Sequence, residues 1–380
     1  MVSGNLTIAT AVAYVIRLFG LAYFSDQRAR RGREGFLRSP LIYTLAISVY
    51  CTSWTFYGAV GSAARNGLEF LAIYFGPTLV FVFWWFGLRK LVHIGHAQRI
   101  TSVADLISSR FGKSSRLAIL VTLIAVIGTT PYIALQLKAV TSSLRVMSGG
   151  AGSGALPESL DDVSLAFTIA AAMALFTVLF GTRNVNANEQ HHGVVAAIAF
   201  EAVVKLAALL AVGLFVVFGL GGGLESTFAR AESAGIVLYG EGAFSNRWIA
   251  ITVLSAAAII CLPRQFQITV VENADESHLH TASWAFPLYL LLMSLFTMPI
   301  AIMGLSLLPP SADPDMFVLT LPLLHDQSAL ALFAFIGGFS SATSMIIIAS
   351  IALSIMVSNH IIMPIALRAP CLLDREDGSG

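Results

Sequence analysis

Charge is what this sequence has least of. Of 380 residues, 22 are Lys or Arg and 21 are Asp or Glu, 11% in all, against about 25% in a soluble globular domain. That scarcity excludes a solvated surface over most of the chain. A net charge of +1 supplies no basic field for a nucleic-acid partner. Cysteine is scarce too: Cys51 and Cys261 lie in apolar segments and Cys371 in the tail, so no disulfide framework is expected. The first apolar run ends in an arginine cluster instead of a small-residue cleavage site, so it reads as a retained helix and not a signal peptide.

What is there is apolar sequence: 57% hydrophobic residues and a mean hydropathy of +0.80. A spanning helix needs about 20 mostly apolar residues. Nine segments qualify: 5–24, 41–62, 70–89, 117–144, 164–181, 194–219, 248–263, 284–308 and 330–358. The expectation is an all-α membrane protein of about nine transmembrane helices. The fourth segment exceeds the bilayer thickness and should tilt or protrude, with a kink at Pro131.

Orientation follows from the basic residues. The loop after the first span carries Arg28, Arg30, Arg31, Arg33 and Arg38, and the loop after the third carries Arg89, Lys90, Arg99, Arg110, Lys113 and Arg116. Arg183, Arg264, Arg368 and Arg375 follow spans five, seven and nine. These regions hold 15 of the 22 Lys and Arg, and the alternate loops hold four. By the positive-inside rule the N-terminus is outside and the C-terminus cytoplasmic. Residues 100–113 have helical apolar spacing and predict a short interfacial helix. Residues 309–328, with prolines and aspartates, suit an extracytoplasmic connection.

Polar residues inside the spans point to function. Arg17, Lys138 and Lys205 fall within the spans, and Arg17, toward the cytoplasmic end of the first, can snorkel. Glu201 and Lys205 stand four apart on the sixth span, in the favourable order for an ion pair. They read either as a self-neutralising pair or as a gating or proton element. On the fourth span Thr129, Tyr132 and Gln136 share a face beside Pro131, as a cavity lining or as helix–helix hydrogen bonding. The second span is dense in Ser48, Tyr50, Cys51, Thr52, Ser53, Trp54, Thr55 and Tyr57, followed by Gly58 and Gly61. Such a centre is easily unwound, and irregular backbone at membrane depth lines a cavity or is buried in protein. Pro263 and a short apolar run suggest a second interrupted helix, and two such interruptions are the sequence pointer to a transporter site. The segment from Pro263 to His280 otherwise reads as a cytoplasmic loop. Gly337, Gly338, Ser340 and Ser341 suit either tight helix packing or oxygen coordination of a cation. Adjacent His191 and His192 do not share a helix face, and His278 and His280 lie in the loop with Glu272, Asp275 and Glu276. No metal cluster or nucleophile constellation within the spans supports an enzyme.

The stretches YCTSWTFYGAVG (50–61), PYIALQLKAV (131–140), NANEQHHGVVAAIAFEAVVKLAALLAVG (186–213), LPRQFQITVVENADE (262–276) and GGFSSATSM (337–345) together resemble the sodium:solute symporter family. The branch they are most similar to forms the membrane half of CbrA-type bacterial sensor histidine kinases. The resemblance implies the LeuT-like inverted-repeat fold. A leading helix and basic loop would occupy 1–40, the first five-helix repeat 41–219, an extracytoplasmic loop 220–247, a partial second repeat 248–358 and a cytoplasmic tail 359–380. The second repeat is then incomplete, the chain stopping after its ninth helix.

The resemblance also implies a site. The Ser48 and Cys51 carbonyls, the Gly337 carbonyl and the Ser340 and Ser341 hydroxyls would bind a cation, sodium in the family's manner, and Tyr50, Trp54, Tyr57, Tyr132 and Gln136 would line the solute. Sodium-coupled amino-acid members carry an acidic residue near the position of Tyr50, so a proton is the other coupling ion to weigh. The implied function is a symporter of a small organic solute, an amino acid or carboxylate, coupled to Na+ or H+, in the bacterial inner membrane and without a cofactor. The alternative is a solute-sensing module partnered with a cytoplasmic histidine kinase domain. One expectation is directly testable. Single cysteines placed between Ser25 and Ser39 should escape an impermeant maleimide added outside intact cells and react after permeabilisation. Efficient labelling from outside would reverse the orientation.

Overall fold

The structure is a computed structural model that describes residues 4–32, 35–148, 192–233, 236 and 244–367, with scattered residues between 164 and 175. The expected fifth span, 164–181, and the tail beyond residue 367 lie largely or wholly outside the described residues. The described residues are helical, with no strand among them. Five helices among them are long and apolar enough to cross a membrane, and a sixth span results if one bent pair is counted.

The first helix, α1 (Gly4–Arg30), leads to α2 (Pro40–Ile47). Ser39 caps α2, accepting from the Ile42 N–H, and Pro40 sits where a helix needs no donor. A tight turn at Ser48–Tyr50 ends this half, Cys51 is extended (φ −78°, ψ 97°), and a wide turn at Trp54–Gly58 opens α3 (Ala59–Asn66). The expected 41–62 span is thus a broken helix. The expected 70–89 span departs further: α4 (Ala72–Val82) stops before a run of turns, and α5 (Leu88–Gln98) starts anew. Arg89 and Lys90 are therefore helical and do not lie in a loop. The expected short helix is α6 (Val103–Arg110), capped by Ser102 Oγ, which accepts from the Asp105 N–H, while Asp105 accepts from the Thr101 N–H. The next helix, α7 (Ser115–Met147), runs 33 residues through Pro131, about 50 Å at the helical rise.

After the undescribed stretch come α8 (His192–Leu214), α9 (Leu224–Ser233) and α10 (Asn246–Cys261). Leu262 is extended (ψ 128°) and α11 (Pro263–Phe266) continues through a wide turn at Gln267–Val271, bent by 54° from α10. The polar stretch after Pro263, expected as a cytoplasmic loop, is therefore buried helix: Arg264, Gln265, Phe266, Gln267, Ile268 and Thr269 are all buried. Arg264 drops out of the loop charges. Beyond it lie α12 (His278–Ser294), α13 (Thr297–Leu307), α14 (Phe317–Leu324) and α15 (Ser328–Val357). The 309–328 connection is more than a link, because Phe317, Val318, Leu319 and Leu321 of α14 are buried.

Two groupings position the site. α8 lies against α1, α2 and α15, with α7 on the far side of α15, and α4 lies between α10 and α12. Small residues set the spacing, as membrane helices require. A Cβ on Gly76 of α4 would fall 2.1 Å from Ser255 Oγ and 2.4 Å from the Thr252 carbonyl of α10, so only glycine permits that crossing. Ion pairs join Arg65 to Asp315 and Arg247 to Glu69, each at 2.7 Å, and His93 Nδ1 hydrogen-bonds Glu276 at the same distance.

Candidate functional site

A helix broken inside a membrane frees backbone groups that lipid cannot satisfy, so each must find a partner in the protein. At the first break several of these partners come from other helices. The Ile47 carbonyl accepts from Gln265 Nε2 of α11 at 3.3 Å. The Ser48 carbonyl accepts from the Cys51 N–H at 2.9 Å, and both the Ser48 and Cys51 carbonyls accept from Lys205 Nζ, at 2.7 and 2.8 Å. The Thr52 carbonyl accepts from the Phe56 N–H, and the Ser53 N–H and hydroxyl both donate to Gln136 Oε1, at 3.1 and 2.7 Å. Lys205 is fully buried on α8, and the neighbouring Ala202 and Ala208, also fully buried, let that helix come close enough for the ammonium to reach the break. The two broken helices also brace each other, since the Tyr43 hydroxyl donates to the Thr269 carbonyl at 2.8 Å.

The expected cation ligands occupy different environments. Ser48 and Cys51 present their carbonyls as expected, but to the Lys205 ammonium. Ser341 Oγ donates to the Gly337 carbonyl at 2.9 Å. Ser340 Oγ donates to the Glu201 carbonyl at 3.2 Å and accepts from the Tyr14 hydroxyl at 3.0 Å. The two glycines serve packing: a Cβ on Gly337 would meet Phe56 at 2.8 Å, and one on Gly338 would meet the Tyr57 hydroxyl at 2.0 Å. Glu201 and Lys205 do not close on each other. The Glu201 carboxylate accepts from Thr343 Oγ1 at 2.6 Å, and its second oxygen has no hydrogen-bond partner. The i, i+4 spacing puts them on one face, but each head turns to a different helix.

A cavity of about 410 Å³ opens where the two breaks meet α7 and α4. Tyr50, Trp54, Thr55, Thr129, Tyr132 and Arg264 supply its polar and aromatic lining. The Tyr50 hydroxyl donates to the Ile73 carbonyl at 2.7 Å, and the Tyr132 hydroxyl pairs with Thr52 Oγ1 at 2.9 Å, so both rings are fixed. Two expected solute-binding residues are absent from this lining. Tyr57 is buried against Gly338, and Gln136 is spent on Ser53, bracing the break. Sequence reasoning missed Arg264. It is 4% exposed, its guanidinium lies 4.6 Å from the centre of the Tyr132 ring, and its Nε has no hydrogen-bond partner. The available signal was its place directly after Pro263, at the first turn of a helix interrupted in the membrane.

The polar loop at residues 272–277 has structural work. His96 pairs with the Asn273 carbonyl at 2.8 Å and the His278 ring packs on Tyr43. The Ser277 N–H, donating to Asp275 at 2.7 Å, holds that carboxyl below its usual range.

No family model matches the chain. A stretch of 157 residues is 29% identical to an uncharacterized symporter of Bacillus subtilis (strain 168), YodF, covering 39% of this chain and 31% of that protein. The match thus spans about a third of the relative's length. Among solved structures, a Na+-coupled sialic acid symporter in a substrate-bound, outward-open state superposes with a TM-score of 0.67, over 94% of this chain and 74% of that one, at 15% identity. The chain is an all-α, multi-pass membrane protein with a LeuT-like transporter fold.

The two polar residues that left the cavity lining make a paired test. Gln136→Leu strands the Ser53 N–H in a dry site and should cost about 1–3 kcal/mol of stability. Tyr57→Phe removes a hydroxyl that has no partner and should cost little. Thermal unfolding in detergent separates them, and equal losses would contradict the bracing role of Gln136.

Proposed function

We propose that the chain is a secondary transporter of a small organic carboxylate, an amino acid among them, driven by symport of a cation, Na+ or H+, across a bacterial inner membrane. The observation that carries this reading is Arg264. An arginine is always charged and presents a planar fork suited to a carboxylate. Here it is buried at the membrane-embedded junction of two broken helices, stacked on Tyr132, and no carboxylate among the described residues pairs with it. An unpaired charge in such a place is costly unless a ligand completes it. The cavity beside it, about 410 Å³, lies within the range of small-molecule sites, roughly 300–1,000 Å³. Tyr50, Trp54 and Tyr132 provide the apolar walls and Thr55 and Thr129 the hydroxyls.

In this reading the solute carboxylate meets Arg264, its body lies against Trp54 and Tyr132, and the two breaks supply the hinges on which the α2–α3 and α10–α11 pairs rock. The Bacillus subtilis relative and the structural neighbour described above are symporters, which supports transport over enzymatic turnover.

The experiment is uptake of labelled small carboxylates and amino acids into proteoliposomes made with this chain. Arg264→Gln should lower uptake of the transported solute at least tenfold, about the worth of one charge-assisted bidentate contact, while Arg264→Lys retains part of it. Uptake unaltered by Arg264→Gln would contradict the carboxylate site. Saturable binding without uptake would favour the solute-sensing module working with a histidine kinase domain.

A further inference from the structure

We infer that the ammonium of Lys205 is the resident cation of the carbonyl cage at the α2 break, so that this cage takes no sodium ion. The fold and the resemblance imply a sodium site built from this break and the serines of α15, and the residues present do not fit one. The Ser48 and Cys51 carbonyls point at Lys205 Nζ at 2.7 and 2.8 Å, full hydrogen-bond distances. Of the hydroxyls that would complete the shell, Ser341 donates to the Gly337 carbonyl, and Ser340 donates to the Glu201 carbonyl and accepts from Tyr14. Lys205 has no exposed surface, so an ion entering the cage would leave a buried ammonium beside it with no water to receive it. Two like unit charges within a few ångströms in a dry site repel strongly. The nearest carboxylate along the helix, Glu201, is turned to Thr343 and makes no ion pair with Lys205.

The chemistry of the substitution is direct. The task at the break is to place one positive charge between two carbonyls turned to the same point. A free ion does this reversibly and couples solute binding to its own gradient. A tethered ammonium does it permanently and removes that coupling at this position. A sodium ion that drove transport in this chain would therefore use ligands outside this cage. The inference deepens the transport reading without resting on it, because it concerns which cation fills a cage and not whether solute crosses.

The test compares wild type with Lys205→Ala and Lys205→Arg in purified full-length chain, using sodium alone as the probe. Radioactive sodium binding should show one additional ion per chain in Lys205→Ala relative to wild type, and none in Lys205→Arg. With sodium at ten times its Kd, Lys205→Ala should also gain roughly 2 °C in Tm on exchange of choline chloride for NaCl. Equal sodium stoichiometry in wild type and Lys205→Ala would overturn the inference. If Lys205→Ala does not fold in choline chloride, folded yield becomes the readout, together with the milder Lys205→Thr. Rescue by sodium supports the assignment, and equal loss in both salts overturns it. None of these readouts involves solute, so failure of the Arg264 uptake experiment leaves this inference standing, and equal sodium stoichiometry leaves the transport reading intact.

Discussion

The contact on which the rest of the structure depends is the Lys205 ammonium against the Ser48 and Cys51 carbonyls. An unbroken helix needs nothing from its neighbours to satisfy its backbone in lipid; a broken one does. Once the chain extends at Cys51, carbonyls on that side of the break require a donor. α8 supplies it from a buried face on which Ala202 and Ala208 leave room for close approach. Gln136 of α7 accepts from the Ser53 N–H, and Gln265 of α11 donates to the Ile47 carbonyl. Three helices are thereby pinned to one irregular stretch, Ile47 to Ser53, beside which the cavity opens.

The second break has a different economy. Pro263 carries no N–H, so helix α11 can begin there with fewer orphan donors. That places Arg264 in the first turn, facing Tyr132 across the cavity. Lys205 is neutralised by carbonyl dipoles and Arg264 is left for a ligand. The site thus separates two positive charges by role, one structural and one available.

Much of this was legible in the residues, and the misses have physical causes. Long apolar runs gave α1, α7, α8, α12 with α13, and α15, since hydropathy over about 20 residues is a strong signal. The first break was readable from the crowding of Ser, Thr and aromatics between Ser48 and Tyr57. Residues 263–271 read as a loop because helix that lines a polar interior carries polar side chains, and hydropathy cannot tell that from solvent. Lys205 was read with Glu201 because spacing along one helix is visible in sequence, whereas contact with a carbonyl 154 residues away belongs to the tertiary fold. The pair of glycines in α15 admitted two readings for the same reason: what lies opposite them, Phe56 and Tyr57, is set by packing between distant helices.

A high-resolution map of the protein in lipid nanodiscs, prepared in sodium chloride, tests the central contact most directly. The account predicts continuous side-chain density from Lys205 to the Ser48 and Cys51 carbonyls, at the separations of 2.7 and 2.8 Å, with no separate peak between them. An isolated peak ringed by those carbonyls and the Ser340 and Ser341 hydroxyls, with Lys205 swung toward Glu201, would contradict it.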